Sequence, residues 1–201
     1  PDFMALAFAT LARNGIRRFA LADPMNDAAA NVEAARLVKK GGGEQVVGAL
    51  VFTLSPIHDD VHYAEAARTM AASPDIDALY IKDPGGLLTP DAVRELAPHF
   101  VAAAGERVAE LHSHTTIGLA PIVYLEGARA GFRVLHTAVG PLARGTSNPA
   151  AETTVRDLVA SGFSHRLDLD ALGEMADHFR RLAMERDLPV GLPQEFDATY
   201  Y

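Results

Sequence analysis

The feature that most constrains the fold is a repeated alternation between short apolar runs and longer amphipathic segments. Gln45–Phe52 is an almost unbroken apolar run, which is typical of a parallel strand buried on both faces. The alternation predicts five strands, at Arg18–Leu21, Gln45–Phe52, Asp77–Ile81, Arg107–Leu111 and Phe132–Leu135. A helical segment follows each of them, so the pattern is the βα repeat of a parallel sheet.

Several helix boundaries carry their own signals. Thr-Pro-Asp at 89–91 predicts a helix start with Thr89 as the N-cap. Ala120–Ala130 reads as a helix closed by Gly131. Ser-Asn-Pro at 147–149 predicts the start of a later helix, with Ser147 or Asn148 as its N-cap.

Two architectures accommodate five βα units: a doubly wound sheet and part of an eight-stranded barrel. The glycine-rich fingerprint expected of the first is absent, because the three glycines at 41–43 follow a helix rather than a strand. A complete barrel typically needs about 250 residues and eight strands. Five units would therefore leave a barrel open.

Composition excludes several functions. The chain has no cysteine, which removes disulfides, thiolate zinc sites and cysteine nucleophiles. Its formal net charge of −8 repels phosphate backbones, so nucleic acid is a poor partner. No apolar run approaches the ~20 residues of a membrane span. We expect no membrane span and a cytoplasmic location.

Polar residues gather directly after the predicted strands. They are Asp23, Asn26, Ser55, His58, Lys82, Asp83, His112, His114, His136, Thr137 and Thr146. Parallel sheets place their active sites at this edge, because the loops there converge on one face.

The sharpest signal is the pair His112 and His114. Residues two apart on a strand point to the same side, so these two imidazoles can bind one ion. The alternative is that they only form hydrogen bonds at the sheet edge.

Lys82 follows a buried apolar run and precedes Asp83. It is an ion-pair partner of Asp83, a surface lysine, a Schiff-base nucleophile, an anion binder or a carbamylated metal ligand. Thr146 either belongs to a capping sequence or directs its hydroxyl at a substrate. Asp23 either binds substrate or metal, or orders its loop together with Asn26.

Five segments together resemble the biotin-dependent carboxyltransferases, which belong to the HMG-CoA-lyase-like barrel superfamily and include the oxaloacetate decarboxylase α subunit and the central domain of pyruvate carboxylase. The segments are 23–27 (Asp-Pro-Met-Asn-Asp), 81–90 (Ile-Lys-Asp-Pro-Gly-Gly-Leu-Leu-Thr-Pro), 111–118 (Leu-His-Ser-His-Thr-Thr-Ile-Gly), 136–138 (His-Thr-Ala) and 145–149 (Gly-Thr-Ser-Asn-Pro). They occur in the family's order over nearly the whole chain.

The resemblance implies a (β/α)8 barrel of which this chain supplies strands 4 to 8. Residues 1–188 would form this partial catalytic barrel, and residues 189–201 an extension toward a further segment. The family's divalent metal (Zn, Mn or Co) would be held by His112, His114 and carbamylated Lys82. The fourth ligand, an aspartate on strand 1, and the strands 1 to 3 would lie outside this sequence.

The resemblance also implies a reaction. A carboxyl group would move between a 2-oxoacid such as pyruvate or oxaloacetate and biotin on a separate carrier protein or domain. Thr146 would carry the matching proton, so Thr146 and Lys82 are the catalytic candidates, and a homodimer is expected. Two departures, Pro84-Gly85 for Met-Ala and His136 for aspartate, indicate a divergent branch whose substrate need not be either acid.

Two alternatives remain beside this interpretation. An acyl-CoA lyase or Claisen-type condensing enzyme of the same superfamily would share the His-x-His strand but would not need Lys82. A non-catalytic barrel fragment would explain the absence of strands 1 to 3, but not the presence of the candidate site residues.

Overall fold

A computed structural model of the chain describes residues 2–196 and 198–200. Its strands form one five-stranded sheet in the order β1-β2-β3-β4-β5, and every neighbouring pair is parallel. The strands are β1 (Arg18–Ala22), β2 (Gln45–Val51), β3 (Ala78–Asp83), β4 (Val108–Ser113) and β5 (Val134–Leu135). The predicted parallel α/β class is confirmed.

Seven α-helices accompany the strands within the described residues. They are α1 (Asp2–Arg13), α2 (Ala28–Lys40), α3 (Asp60–Ala71), α4 (Pro90–Ala104), α5 (Ala120–Ala130), α6 (Ala151–Ala160) and α7 (Leu169–Glu185), with short 3-10 turns at Gly140–Leu142 and Ala198–Tyr200. None of the helices among these residues is both long and apolar enough to cross a bilayer.

The caps explain where most helices begin, with one exception. Thr89 is the N-cap of α4 as expected, and its hydroxyl accepts a hydrogen bond from Ala92 N at 3.0 Å. The predicted cap of α6 is wrong. Ala150 occupies the N-cap position without a side-chain hydrogen bond, because the Asn148 amide instead donates to Ser113 O at 3.0 Å.

The last strand is shorter than the sequence predicts. The predicted strand is Phe132–Leu135, but β5 contains only Val134 and Leu135. Phe132 N donates to Gly127 O at 3.0 Å, so it completes the end of α5 rather than the sheet.

The two faces of the sheet have different roles. On β4, Ala109 and Leu111 belong to the large core that helices α1 to α5 cover. Alternation along the strand then directs Glu110 and His112 to the opposite face, which we call the inner face. Its side chains include Arg18, Val47, Ala49, Ala78, Tyr80, Lys82, Glu110 and His112. Four of them, Val47, Ala49, Ala78 and Tyr80, form a small buried apolar cluster. The inner face therefore combines an apolar patch with several charged and imidazole groups.

Candidate metal centre

His112 and His114 meet at the carboxyl end of β4. Their Nε2 atoms lie 3.0 Å apart, so the two rings present the same type of nitrogen to one point. The backbone of His114 continues the sheet pattern, since its N–H donates to Asp83 O at 2.9 Å. The predicted pairing of these two side chains is confirmed as geometry.

Lys82 lies beside this pair. It is the register partner of His112 on the neighbouring strand, so both side chains emerge on the inner face. No ion pair of Lys82 is found among residues 2–196 and 198–200. The alternative in which Lys82 pairs with Asp83 is therefore wrong.

Asp83 points away from Lys82 and is fully buried. Its carboxylate accepts hydrogen bonds from Leu88 N at 3.0 Å and Ser113 Oγ at 2.7 Å, as well as from Leu87 N at 2.8 Å. Burial raises the pKa of Asp83, although these hydrogen bonds act to lower it. Asp83 thus joins the ends of β3 and β4 to the loop between β3 and α4.

Two residues that sequence reasoning missed extend the site along the inner face. Glu110, only 1% exposed, accepts a hydrogen bond from His136 Nε2 at 2.9 Å and a two-pronged ion pair from Arg18 Nη2 at 2.5 and 2.6 Å. His136 Nδ1 in turn lies 3.2 Å from His112 Nδ1. An acidic residue within the apolar run of β4, two positions before His112, was the available signal.

The electrostatics of the site favour neutral imidazole at His112. Burial lowers its pKa to about 4, and the nearby His136, His114 and Lys82 act in the same direction. A neutral ring keeps a lone pair available for a metal ion near pH 7. Burial acts to raise the pKa of Glu110, but hydrogen bonds from His136 and Arg18 outweigh it and lower this pKa below its ordinary value.

The loop that carries Thr146 is tied to the same edge of the sheet. Ser147 O accepts a hydrogen bond from Thr115 N at 2.8 Å, just after the histidine pair. Thr146 itself is exposed and lines a cavity of about 430 Å³ that is closed on the other side by the segment 189–194. The structure thus places the loop of Thr146 at the same end of β4 as the histidines.

Asp23 and Asn26 order their loop, as one of the two interpretations predicted. Asp23 Oδ2 accepts from Asp27 N at 2.8 Å. Asn26 has a positive φ of 57° and exchanges two side-chain hydrogen bonds with the Val51 backbone, at 2.7 and 2.9 Å. Ser55 and His58 pair with each other in the next loop, at 2.7 Å.

The donor set suits a divalent ion only in part. His112 and His114 offer two converging nitrogens, and Lys82 emerges on the same face. Within residues 2–196 and 198–200, no three His, Cys, Asp or Glu side chains lie close enough together to hold a metal. A third donor from this chain would have to be an oxygen carried on Lys82.

Comparison with known proteins agrees with this geometry. Residues 13–178 match the family model described as HMGL-like. One of the two pyruvate carboxylase subunits of Methanocaldococcus jannaschii is 36% identical over 183 residues, which cover 90% of this chain and 32% of that protein. The methylmalonyl-CoA carboxyltransferase 5S subunit of Propionibacterium freudenreichii subsp. shermanii is 28% identical over 172 residues, covering 85% of this chain and 34% of the relative.

Among solved structures, the carboxyl transferase domain of Rhizobium etli pyruvate carboxylase, with pyruvate and biocytin, superposes with a TM-score of 0.88. The alignment covers 100% of this chain and 35% of that one at 21% identity, which establishes a shared fold. This chain spans about a third of the length of the curated relatives that it matches. The family model covers most of the chain, and on that basis the protein belongs to the HMGL-like family.

Proposed function

We propose that this protein is a metal-dependent carboxyltransferase that moves a carboxyl group between a 2-oxoacid, of the pyruvate or oxaloacetate type, and biotin on a separate carrier. The observation that carries the proposal is the convergence of His112 Nε2 and His114 Nε2, 3.0 Å apart, beside Lys82. The relatives named as carboxylase and carboxyltransferase subunits support the same reaction class.

His112, His114 and Lys82 would hold the divalent ion. Bound there, Zn, Mn or Co would act as a Lewis acid toward the carbonyl of the 2-oxoacid. The two histidines supply neutral nitrogen donors, and the side chain of Tyr80, 6.3 Å from the His112 ring between centroids, covers one flank of that ring. The remaining ligand, an aspartate in the family resemblance, comes from a strand that is not among these five.

Lys82 becomes a ligand by carbamylation. Its neutral amine adds to carbon dioxide, a new N–C bond forms, and one proton leaves the nitrogen. The product is a carbamate anion with two oxygen donors, which divalent ions of this kind accept. This change also turns a cation into an anion beside two neutral histidines, and so favours binding of a doubly charged ion.

Thr146 moves the proton that accompanies transfer. When the C–C bond to the carboxyl group of oxaloacetate breaks, a new C–N bond forms at the biotin ring nitrogen. That nitrogen gives up its proton to the Thr146 hydroxyl, which delivers a proton to the methylene carbon left behind. The products, pyruvate and carboxybiotin, balance the reactants in atoms and charge.

Finer features of the proposal follow the family resemblance. The five strands correspond to strands 4 to 8 of an eight-stranded barrel. Residues 1–188 form its catalytic part, and residues 189–201 are an extension beyond it. The protein works in the cytoplasm as a homodimer, and a biotin carrier protein or domain docks at the edge of the sheet where Thr146 lies.

The test measures decarboxylation of oxaloacetate by the natural full protein with and without free biotin, together with the content of bound metal. We expect biotin-dependent pyruvate formation, lost along with metal in His114→Ala. His99→Ala, an exposed histidine on α4, is the matched control and should retain both. Cleavage of an acyl-CoA without any need for biotin would instead identify the lyase alternative, and the absence of both activities the non-catalytic one.

A further inference from the structure

We propose that Glu110 and His136 are positioning residues that fix His112 in the one tautomer whose Nε2 lone pair faces His114. This inference deepens the proposed function and rests on its metal site. It concerns a line of side chains along the inner face that runs from Arg18 through Glu110, His136 and His112 to His114.

The line starts at Glu110, whose proton state is fixed by Arg18. The Arg18 guanidinium approaches both carboxylate oxygens, at 2.5 and 2.6 Å, and Glu110 is 1% exposed. A buried carboxylate paired in this way is ionised, and an ionised carboxylate can only accept hydrogen bonds. The neighbouring nitrogen must therefore donate.

That neighbour is His136 Nε2, 2.9 Å from Glu110 Oε2. A neutral imidazole carries one N–H and one lone pair, so protonation of Nε2 leaves Nδ1 of His136 as an acceptor. His112 Nδ1 lies 3.2 Å from this acceptor and must supply the hydrogen. The proton of His112 thus resides on Nδ1, and its Nε2 keeps the lone pair.

The remaining nitrogen is the one that a metal ion needs. His112 Nε2 is the atom that faces His114 Nε2 at 3.0 Å. Without an ion, His114 donates its own Nε2 hydrogen to His112. With an ion, only the His114 proton has to move to Nδ1 or leave, since His112 is already in the binding tautomer.

Tyr80 limits rotation of these rings. Its ring centroid lies 5.1 Å from that of His136 and 6.3 Å from that of His112, and its side chain is buried in the apolar cluster of the inner face. The imidazoles are therefore held in orientation by packing and in tautomer by the Glu110 carboxylate. Partners behind metal-binding histidines typically contribute about 10- to 100-fold in metal affinity.

The experiment compares two replacements of His136 that each preserve one of its hydrogen bonds. In His136→Asn, the amide oxygen takes the place of Nδ1 and still accepts from His112. In His136→Gln, the longer amide reaches the Glu110 side and leaves His112 Nδ1 without its acceptor. We expect the Mn²⁺ dissociation constant of His136→Asn to stay within about 3-fold of wild type, and that of His136→Gln to rise about 10- to 100-fold.

A second measurement needs no variant. ¹⁵N NMR of the histidine rings in the metal-free natural protein should show His112 protonated on Nδ1. Protonation on Nε2, or equal Mn²⁺ affinity of the two variants, would overturn the positioning role while leaving the metal site intact. A wild-type protein that binds no divalent ion would reject the positioning role and the proposed function together.

Discussion

Ser113 Oγ donates a hydrogen bond to Asp83 Oδ2 at 2.7 Å, from the end of β4 to the end of β3. Both residues are buried, with 1% and 0% exposure. Each stands next to a candidate ligand, since Lys82 precedes Asp83 and Ser113 separates His112 from His114. This hydrogen bond therefore sets how closely the two strand ends approach and, with them, the ligands.

Replacing Asp83 by alanine should destabilise the fold. The change removes the acceptor of Leu88 N–H and of the Ser113 hydroxyl, and each buried donor left without an acceptor costs about 1–3 kcal/mol. We expect the free energy of unfolding, measured by urea titration, to fall by about 2–5 kcal/mol. The control is Asp91→Ala, an exposed acid paired with Arg94, which should cost less than about 1 kcal/mol. Equal losses in the two variants would contradict the structural role of Asp83.

Thr146→Ala should abolish carboxyl exchange between oxaloacetate and free biotin while the metal content stays unchanged. The side chain is exposed on a loop, so its removal leaves the fold intact and removes only the hydroxyl that moves the proton. Thr146→Ser, which keeps that hydroxyl, should retain most of the exchange. Radiolabelled carboxyl transfer measures the rate, and full activity of the alanine variant would remove Thr146 from the mechanism.

Lys82→Arg should lose bound metal, because a guanidinium cannot form the carbamate. Elemental analysis of the purified variant, beside Lys40→Arg as an exposed control, measures this loss. In the wild type, ¹³C NMR after equilibration with ¹³C-bicarbonate should show one carbamate carbon that is absent from Lys82→Arg. Retention of metal by the variant would exclude Lys82 as a ligand.

Asp77 predicts a pH dependence of stability that is separate from the site. Burial acts to raise its pKa, but hydrogen bonds from Lys39 Nζ at 2.8 Å and Val46 N at 2.7 Å lower it below the ordinary value. A lowered pKa in the folded state contributes stability above the unfolded pKa of about 3.9, and this stability is lost as the pH falls through the folded pKa.

Asp77→Asn provides the measurement, since it keeps an acceptor for Val46 N–H and removes the charge. The variant should be less stable than wild type near pH 7, and the two urea midpoints should approach each other as the pH falls below about 3.9. A gap between the midpoints that stays constant with pH would contradict the assignment.

The fold was predictable wherever the signal is local. The helix predicted at Ala120–Ala130 has these bounds in the structure, because Gly131 adopts a positive φ of 117° that ends it. The His112 and His114 pair was predictable for the same reason, since alternation along one strand depends only on neighbouring residues.

The rest depends on contacts between distant segments. The ion pair of Arg18 with Glu110 joins side chains 92 residues apart, so it follows from strand order and register rather than from any local pattern. The predicted cap of α6 is wrong for a related reason. Asn148 had two possible partners, and the end of β4 offered it the Ser113 carbonyl.

The consecutive order of the strands bears on how the chain acquires its structure during synthesis. Each strand pairs with the one made just before it, so every βα unit can dock on the ribosome as it emerges, without waiting for later segments. The ion pair between Arg18 and Glu110 is different, since it must wait until β4 has been translated. Before that moment Arg18 has no acid to neutralise at this position, so the inner face acquires its final charge pattern late in biosynthesis.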